Sequence, residues 1–284
     1  METPLEIVSR SKLPIEEVSG LGRRLLRGKV TYLAVPDAES SLVTFEVDDG
    51  GNAWRLSTHD LSSLYGDGPS EWEAVAGDAA GSVFVLAEAD DTISALDAEL
   101  SRIVHTFHLM IPEGHALEAA WEADANSNGE GLLLLANGHV LVVKEKNPVA
   151  LIEFAPEGTL SQGYRAEFAI GDRVFDVPAG SSTNLRAVGH WLLEPTDAER
   201  LPDVSEVAVD ASGRVLLLSD QGRLLARIEG GLSPDQDTMR LEVIFTLPND
   251  VAKPEGLVLA SGAPLVAIDQ KGKGAALFAL DRLP

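Results

Sequence analysis

Residues 204–229, VSEVAVDASGRVLLLSDQGRLLARIE, set three short apolar runs between two tight joints, and this rhythm limits what the chain can fold into. The runs at 204–209, 214–219 and 223–228 are rich in Val, Leu and Ile and have the length of strands. The joints, Asp-Ala-Ser-Gly and Asp-Gln-Gly, carry glycines that supply the positive φ of a tight hairpin. A fourth apolar run, RLEVIFTL at 240–247, follows a polar loop. Four antiparallel strands in one compact unit describe a propeller blade.

The unit recurs. Residues 72–109 and 254–281 repeat the strand–turn rhythm, and weaker copies open at VSGLG (18–22) and LEAAW (117–121). Aligning the openings places Ser19, Glu73, Glu118, Ser205 and Glu255 at one equivalent position. Their separations are 45 to 54 residues, with one of 87, and the step around the termini is 48. Such periods predict an all-β fold: a single propeller domain over residues 1–284, closed into a ring when residues 4–13 complete the last blade. Closure removes the free sheet edges that invite aggregation. Residues 161–202 lack the opening motif. One of their apolar runs must finish blade three, and the rest reads as an excursion on a five-bladed ring. The separation of 87 also admits a sixth, degenerate blade.

Acids collect at the ends of the second strands, at Asp37, Glu88, Glu145, Asp220 and Asp269. A hairpin's first strand begins where its second ends, so these acids face the opening positions across the ladder. Glu73 and Glu88 straddle Ala80-Gly81, and Glu255 and Asp269 straddle Gly262. Glu118 and Glu145 are out of register, displaced by an insertion at 123–131. Glu73, Glu118, Glu255, Glu88, Asp220 and Asp269 form the expected metal-ligating set, and Ser19, Ser205, Asp37 and Glu145 the expected ligand-binding set. Crowded carboxylates raise one another's pKa values, and a hard cation held by oxygens relieves the repulsion. Calcium tolerates such irregular geometry best. The plainer alternative is that these acids cap turns or pair with Lys144, Lys146, Lys253 and Lys271.

Composition narrows the partners. Against 45 acidic side chains stand 22 basic ones, and a net charge of −23 disfavours nucleic acid and anionic membranes. No cysteine is present, which excludes disulfides, thiolate nucleophiles and cysteine–zinc sites. No apolar run is long enough to span a bilayer as a helix. The first residues lack a signal peptide's apolar core, so the expected location is cytoplasmic for a complete chain and periplasmic or secreted if a leader was removed.

The openings VSGL (18–21), WEAV (72–75), LEAA (117–120), VSEV (204–207) and PEGL (254–257) follow the Ser/Glu order of the SdiA-regulated, or YjiK-like and CarP-like, propeller family. KEKNPVALIEF (144–154) and LLLSDQGRLL (216–225) resemble two further segments of it. Ala74, Ala119 and Glu206 depart from the family's glycine, and Asp269-Gln270-Lys271 replaces its closing segment. The resemblance implies a calcium-binding propeller distantly similar to calcium-dependent phytases. Three functions follow as expectations. The first is calcium-assisted recognition of a small molecule or protein at the channel mouth. The second is a phytase-like or esterase-like hydrolase, which lacks a Gly-x-Ser-x-Gly nucleophile and a basic mouth for phytate. The third is a scaffold without metal.

Overall fold

The computed structural model describes residues 2–66, 68–124, 127–271 and 274–284. Strands dominate, and hairpins with the joints expected above connect most of them. Two N-terminal strands, β1 (Glu2–Pro4) and β2 (Ile7–Lys12), precede the first run of four: β3 (Val18–Leu26), β4 (Lys29–Pro36), β5 (Ser41–Val47) and β6 (Ala53–Asp60). After the short helix α1 (Ser62–Tyr65), the second run is β7 (Trp72–Gly77), β8 (Val83–Ala87), β9 (Thr92–Leu96) and β10 (Ile103–Met110). Helix α2 (Glu118–Ala123) leads to the third run, β11 (Leu132–Leu134), β12 (Val140–Lys144), β13 (Ala150–Pro156) and β14 (Ser182–Leu193). Helix α3 (Pro195–Ala198) follows it. The fourth run is β15 (Glu206–Val209), β16 (Val215–Ser219), β17 (Leu224–Ile228) and, after the two-residue β18 (Thr238–Met239), β19 (Leu241–Thr246). The last hairpins are β20 (Pro254–Ala260), β21 (Ala263–Ile268) and β22 (Ala276–Leu280).

The N-terminus closes the structure as expected. Strand β2 pairs antiparallel with β22, from Ile7 opposite Leu280 to Lys12 opposite Ala276. Strand β1 adds a second tie, lying parallel to β19. The second and third runs join, with β18 added beside β14, into one nine-stranded sheet because β10 pairs in parallel with the first half of β14. Neither parallel pairing carries a local sequence signal.

Apolar side chains pack between successive runs and around the ring. Trp72, Val83 and Leu33 fill the space between runs one and two. Phe84, Phe107 and Phe154 fill that between two and three, and Trp191, Leu141 and Val215 that between three and four. Phe245, Leu216 and Phe278 join the fourth run to the last hairpins. Phe45, Leu265 and Leu13 return to the first run. The inner strands, such as β8, β12, β16, β17 and β22, therefore bury both faces, which is why they read as near-continuous apolar runs, whereas the outer strands β2 and β6 keep exposed residues.

Residues 157–202 contribute one regular strand, β14, with a 3-10 turn at Ala166–Phe168 ahead of it. Before β14 the chain crosses one end of the ring, touching the first hairpin of one run after another. Tyr164 pairs with Leu232 and gives its hydroxyl to the Gly213 carbonyl at 2.8 Å. Ala169 bridges Leu135, Asp78 accepts the Phe175 N–H at 3.0 Å, and Asp172 lies 3.9 Å from Arg23. The crossover starts at Gly163, where φ is +65° and a Cβ would fall 1.9 Å from the Leu232 carbonyl oxygen. Only glycine fits there.

Candidate functional site at the acidic channel mouth

Strands β3, β7, β11, β15 and β20 each end their sheet order, and together they line a central channel. Each begins with one extra residue. Ser19 lies between the pairs Val18–Pro36 and Gly20–Val35, Glu73 between Trp72–Ala87 and Ala74–Leu86, and Glu255 between Pro254–Ile268 and Gly256–Ala267. Ser205 shares Leu218 with Glu206 in the same way. Such bulges re-aim a side chain, and here they occur at the equivalent positions that the repeat identified.

The third position needs correction. Glu118 lies not in a first strand but at the start of α2, where its carboxylate accepts the Gly114 N–H at 2.6 Å. Glu130 takes its place. Its N–H reaches the Val143 carbonyl at 3.2 Å, while the Val143 N–H reaches the Gly131 carbonyl at 3.0 Å, the same two-against-one pairing. Glu130-Gly131-Leu132 restores a Glu-Gly-Leu opening, and Glu130 and Glu145 straddle Asn137-Gly138 symmetrically. That symmetry around the hairpin glycine was the signal available in the sequence.

The two serines act as clamps. Ser19 donates its hydroxyl to the Trp72 carbonyl, and Ser205 donates to the Pro254 carbonyl at 2.7 Å. In each case the acceptor immediately precedes the glutamate of the next run. Neither serine is hydrogen-bonded to a histidine.

Glu73, Glu88, Glu130 and Glu255 lie near enough to feel one another's charge. Burial, then the charges of Glu88, Asp37 and Glu255, push Glu73 up to about 9. Burial, then Asp220 and Asp269, push Glu255 up to about 8. Glu88 rises to about 7 through burial, although it accepts the Asn128 N–H at 2.8 Å. Glu130 is raised well above the ordinary range by burial and by Glu73, Glu88, Glu145 and Glu255. Burial is also the main cause of the upward shifts at Asp37, Glu145 and Asp220.

Lysines neutralise part of the rim. Lys146 pairs with Glu145, Lys253 with Asp269 at 2.7 Å, and Lys271 with Glu17 at 2.5 Å. Lys144 instead is buried against Ser127 and Asn128. Among the described residues no ion pair reaches Asp37, Glu73, Glu88, Glu130, Asp220 or Glu255. One buried oxygen each of Asp37 and Asp269 also lacks a hydrogen-bond partner. These oxygens are donors of the kind a hard cation takes. Among the described residues, no group of three acidic or histidine side chains is drawn together closely enough to hold a metal ion.

Glu206, read from sequence only as a departure from glycine, turns out to be fully buried at the channel's centre. Its carboxylate accepts the Val207 N–H at 2.9 Å and, from across the channel, the Leu21 N–H at 3.3 Å. A Cβ on Gly131 would come within 3.0 Å of it. Burial pushes Glu206 well above the usual carboxylate range. It thus separates the acidic mouth from the channel beyond.

A family model for SdiA-regulated proteins matches residues 31–265. The chain belongs to the SdiA-regulated family. Among curated proteins none matches the sequence. The fold is similar to glutaminyl cyclase from Myxococcus xanthus, with TM-score 0.57 and 13% identity over 100% of both chains. It is also similar to the PQQ-bound aldose sugar dehydrogenase from Streptomyces coelicolor, with TM-score 0.51 and 12% identity over 98% of this chain and 97% of that one. At such identities the likeness is one of propeller-like architecture, which this SdiA-regulated protein shares. No helix among the described residues is long and apolar enough to cross a membrane.

Proposed function

We propose that the chain is a single five-bladed propeller domain whose acidic mouth binds calcium and uses it to recognise a small molecule or protein partner. The observation that carries this reading is the set of Glu73, Glu88, Glu130 and Glu255, near enough to raise one another's pKa values and with no ion-pair partner among the described residues. The lone oxygens of Asp37 and Asp269 support it. A divalent cation would replace mutual repulsion with attraction, and it would supply a positive centre for an oxygen of the bound partner. The four runs of four strands, with the last hairpins completed by β2, support the count of five blades.

Titration calorimetry on chelator-treated protein tests the reading. Calcium should bind near neutral pH, and Glu73→Gln/Glu130→Gln should abolish the heat while leaving the far-ultraviolet circular dichroism unchanged. A wild-type protein that takes up no calcium at millimolar concentration would overturn the metal and leave the scaffold reading.

A further inference from the structure

Beyond Glu206 the channel widens into a cavity of about 600 Å³, within the size range of small-molecule pockets. It lies at the end of the ring opposite the acidic mouth. Leu133, Val209 and Leu259 on the channel-lining strands and Ile170 on the crossover all line it, and each remains partly exposed. Their exposure is to this cavity, where they give it an apolar body.

The walls also offer hydrogen bonds. Each first strand is the terminal strand of its sheet, so alternate backbone N–H and C=O groups face the channel without a strand partner. Glu206 shows what such amides donate to, since its carboxylate accepts N–H groups from two of these strands.

The outer rim carries two exposed arginines. Arg173 donates to the Glu167 carbonyl at 2.8 Å and has no carboxylate partner among the described residues. Arg23 is 3.9 Å from Asp172, with both side chains exposed, a contact worth little. Asp210, also at the rim, is already held by Arg214 at 3.2 Å and faces Arg227 at 3.7 Å.

We propose that this cavity is a second binding site, separate from the acidic mouth, for a small amphiphile with an apolar body and one carboxylate. The body lies along Leu133, Val209, Leu259 and Ile170, and the carboxylate meets Arg173 and Arg23 at the rim.

Decanoate serves as the probe, with decanol as its uncharged counterpart, titrated into the full chain by calorimetry with calcium and with chelator. Decanoate should bind one to one in both conditions, and Glu73→Gln should leave that binding unchanged, which separates this site from the metal. Ala76→Trp, which fills the channel, should weaken decanoate and decanol at least tenfold. Ala211→Trp, on the exposed rim hairpin, replaces it if the first variant does not fold. Arg173→Glu should weaken decanoate severalfold and leave decanol unaffected. No binding of decanoate at millimolar concentration overturns the site, as does unchanged binding in the channel-filling variant. Equal loss of both probes in Arg173→Glu overturns the assignment of the carboxylate to the rim.

Discussion

His139, just before β12, and Glu153 on β13 form a fully buried pair, with imidazole Nδ1 donating to the carboxylate at 2.5 Å. Glu153 also receives the Ser161 hydroxyl at 2.6 Å and the N–H groups of Gln162 and Gly163 at 3.1 and 3.0 Å. One carboxylate therefore fixes the point where the crossover leaves β13 and begins to roof the lower cavity. Burial alone would raise its pKa, but these hydrogen bonds outweigh it and hold Glu153 below the ordinary value.

Glu153→Ala should cost about 3–5 kcal/mol in chemical denaturation, because it leaves buried donors unpaired. A depressed carboxylate pKa contributes stability above the ordinary value near 4.5, and this is lost as pH falls through the folded-state value. The variant should therefore lack part of the wild type's acid-induced loss of stability. A cost below about 1 kcal/mol would show that the pair does not anchor the crossover.

Removing residues 1–13 tests closure of the ring. It deletes β1 and β2, uncovers the edges of β19 and β22, and removes the buried Leu5 and Leu13. Each buried leucine is worth about 1.5–3 kcal/mol. The truncated chain should melt well below the full one or fail to fold. Equal melting temperatures would mean that the N-terminal strands are ornamental.

The third opening separates what the sequence reveals from what it hides. Strands and hairpins are legible because glycine joints punctuate apolar runs, and hairpin register picks out the acids at the ends of the second strands. The insertion misled because Leu117-Glu118-Ala119 imitates an opening. Its helical character shows only in the four-residue spacing of Leu117 and Trp121, both buried on α2 and its approach. Glu206 was hidden for another reason: which way a side chain points at a glycine position depends on how five strands converge. The parallel pairings of β10 with β14 and β1 with β19 are likewise set by distant packing rather than by local residues.

Glu118 and Glu130 can be told apart directly. Glu118→Ala removes a hydrogen bond to Gly114 at the surface and should leave calcium binding within twofold of wild type. Glu130→Gln removes a carboxylate from the crowded mouth and should weaken calcium at least tenfold. Calorimetry on the two variants decides between the two placements, and the reverse order of effects would restore Glu118 to the ring.

The acidic mouth should make stability depend on pH in a direction opposite to that of Glu153. Between the ordinary carboxylate value of 4.5 and about 9, the folded chain keeps protons on Glu73 and Glu255 that the unfolded chain has released. Raising the pH through this window favours the unfolded state, so the metal-free protein should lose stability from about pH 5 to pH 9. Calcium must displace those protons, so its stabilising effect should grow over the same range. At a hundredfold excess over Kd it should reach about 2.7 kcal/mol if only the folded state binds. Melting curves at pH 6 and pH 8, each in calcium and in chelator, measure both effects. Glu73→Gln/Glu255→Gln should flatten the pH dependence in chelator and lose most of the calcium response. Identical curves in calcium and chelator at pH 8 would leave these side chains as protonated acids sealing one end of the channel, with no role in cation binding.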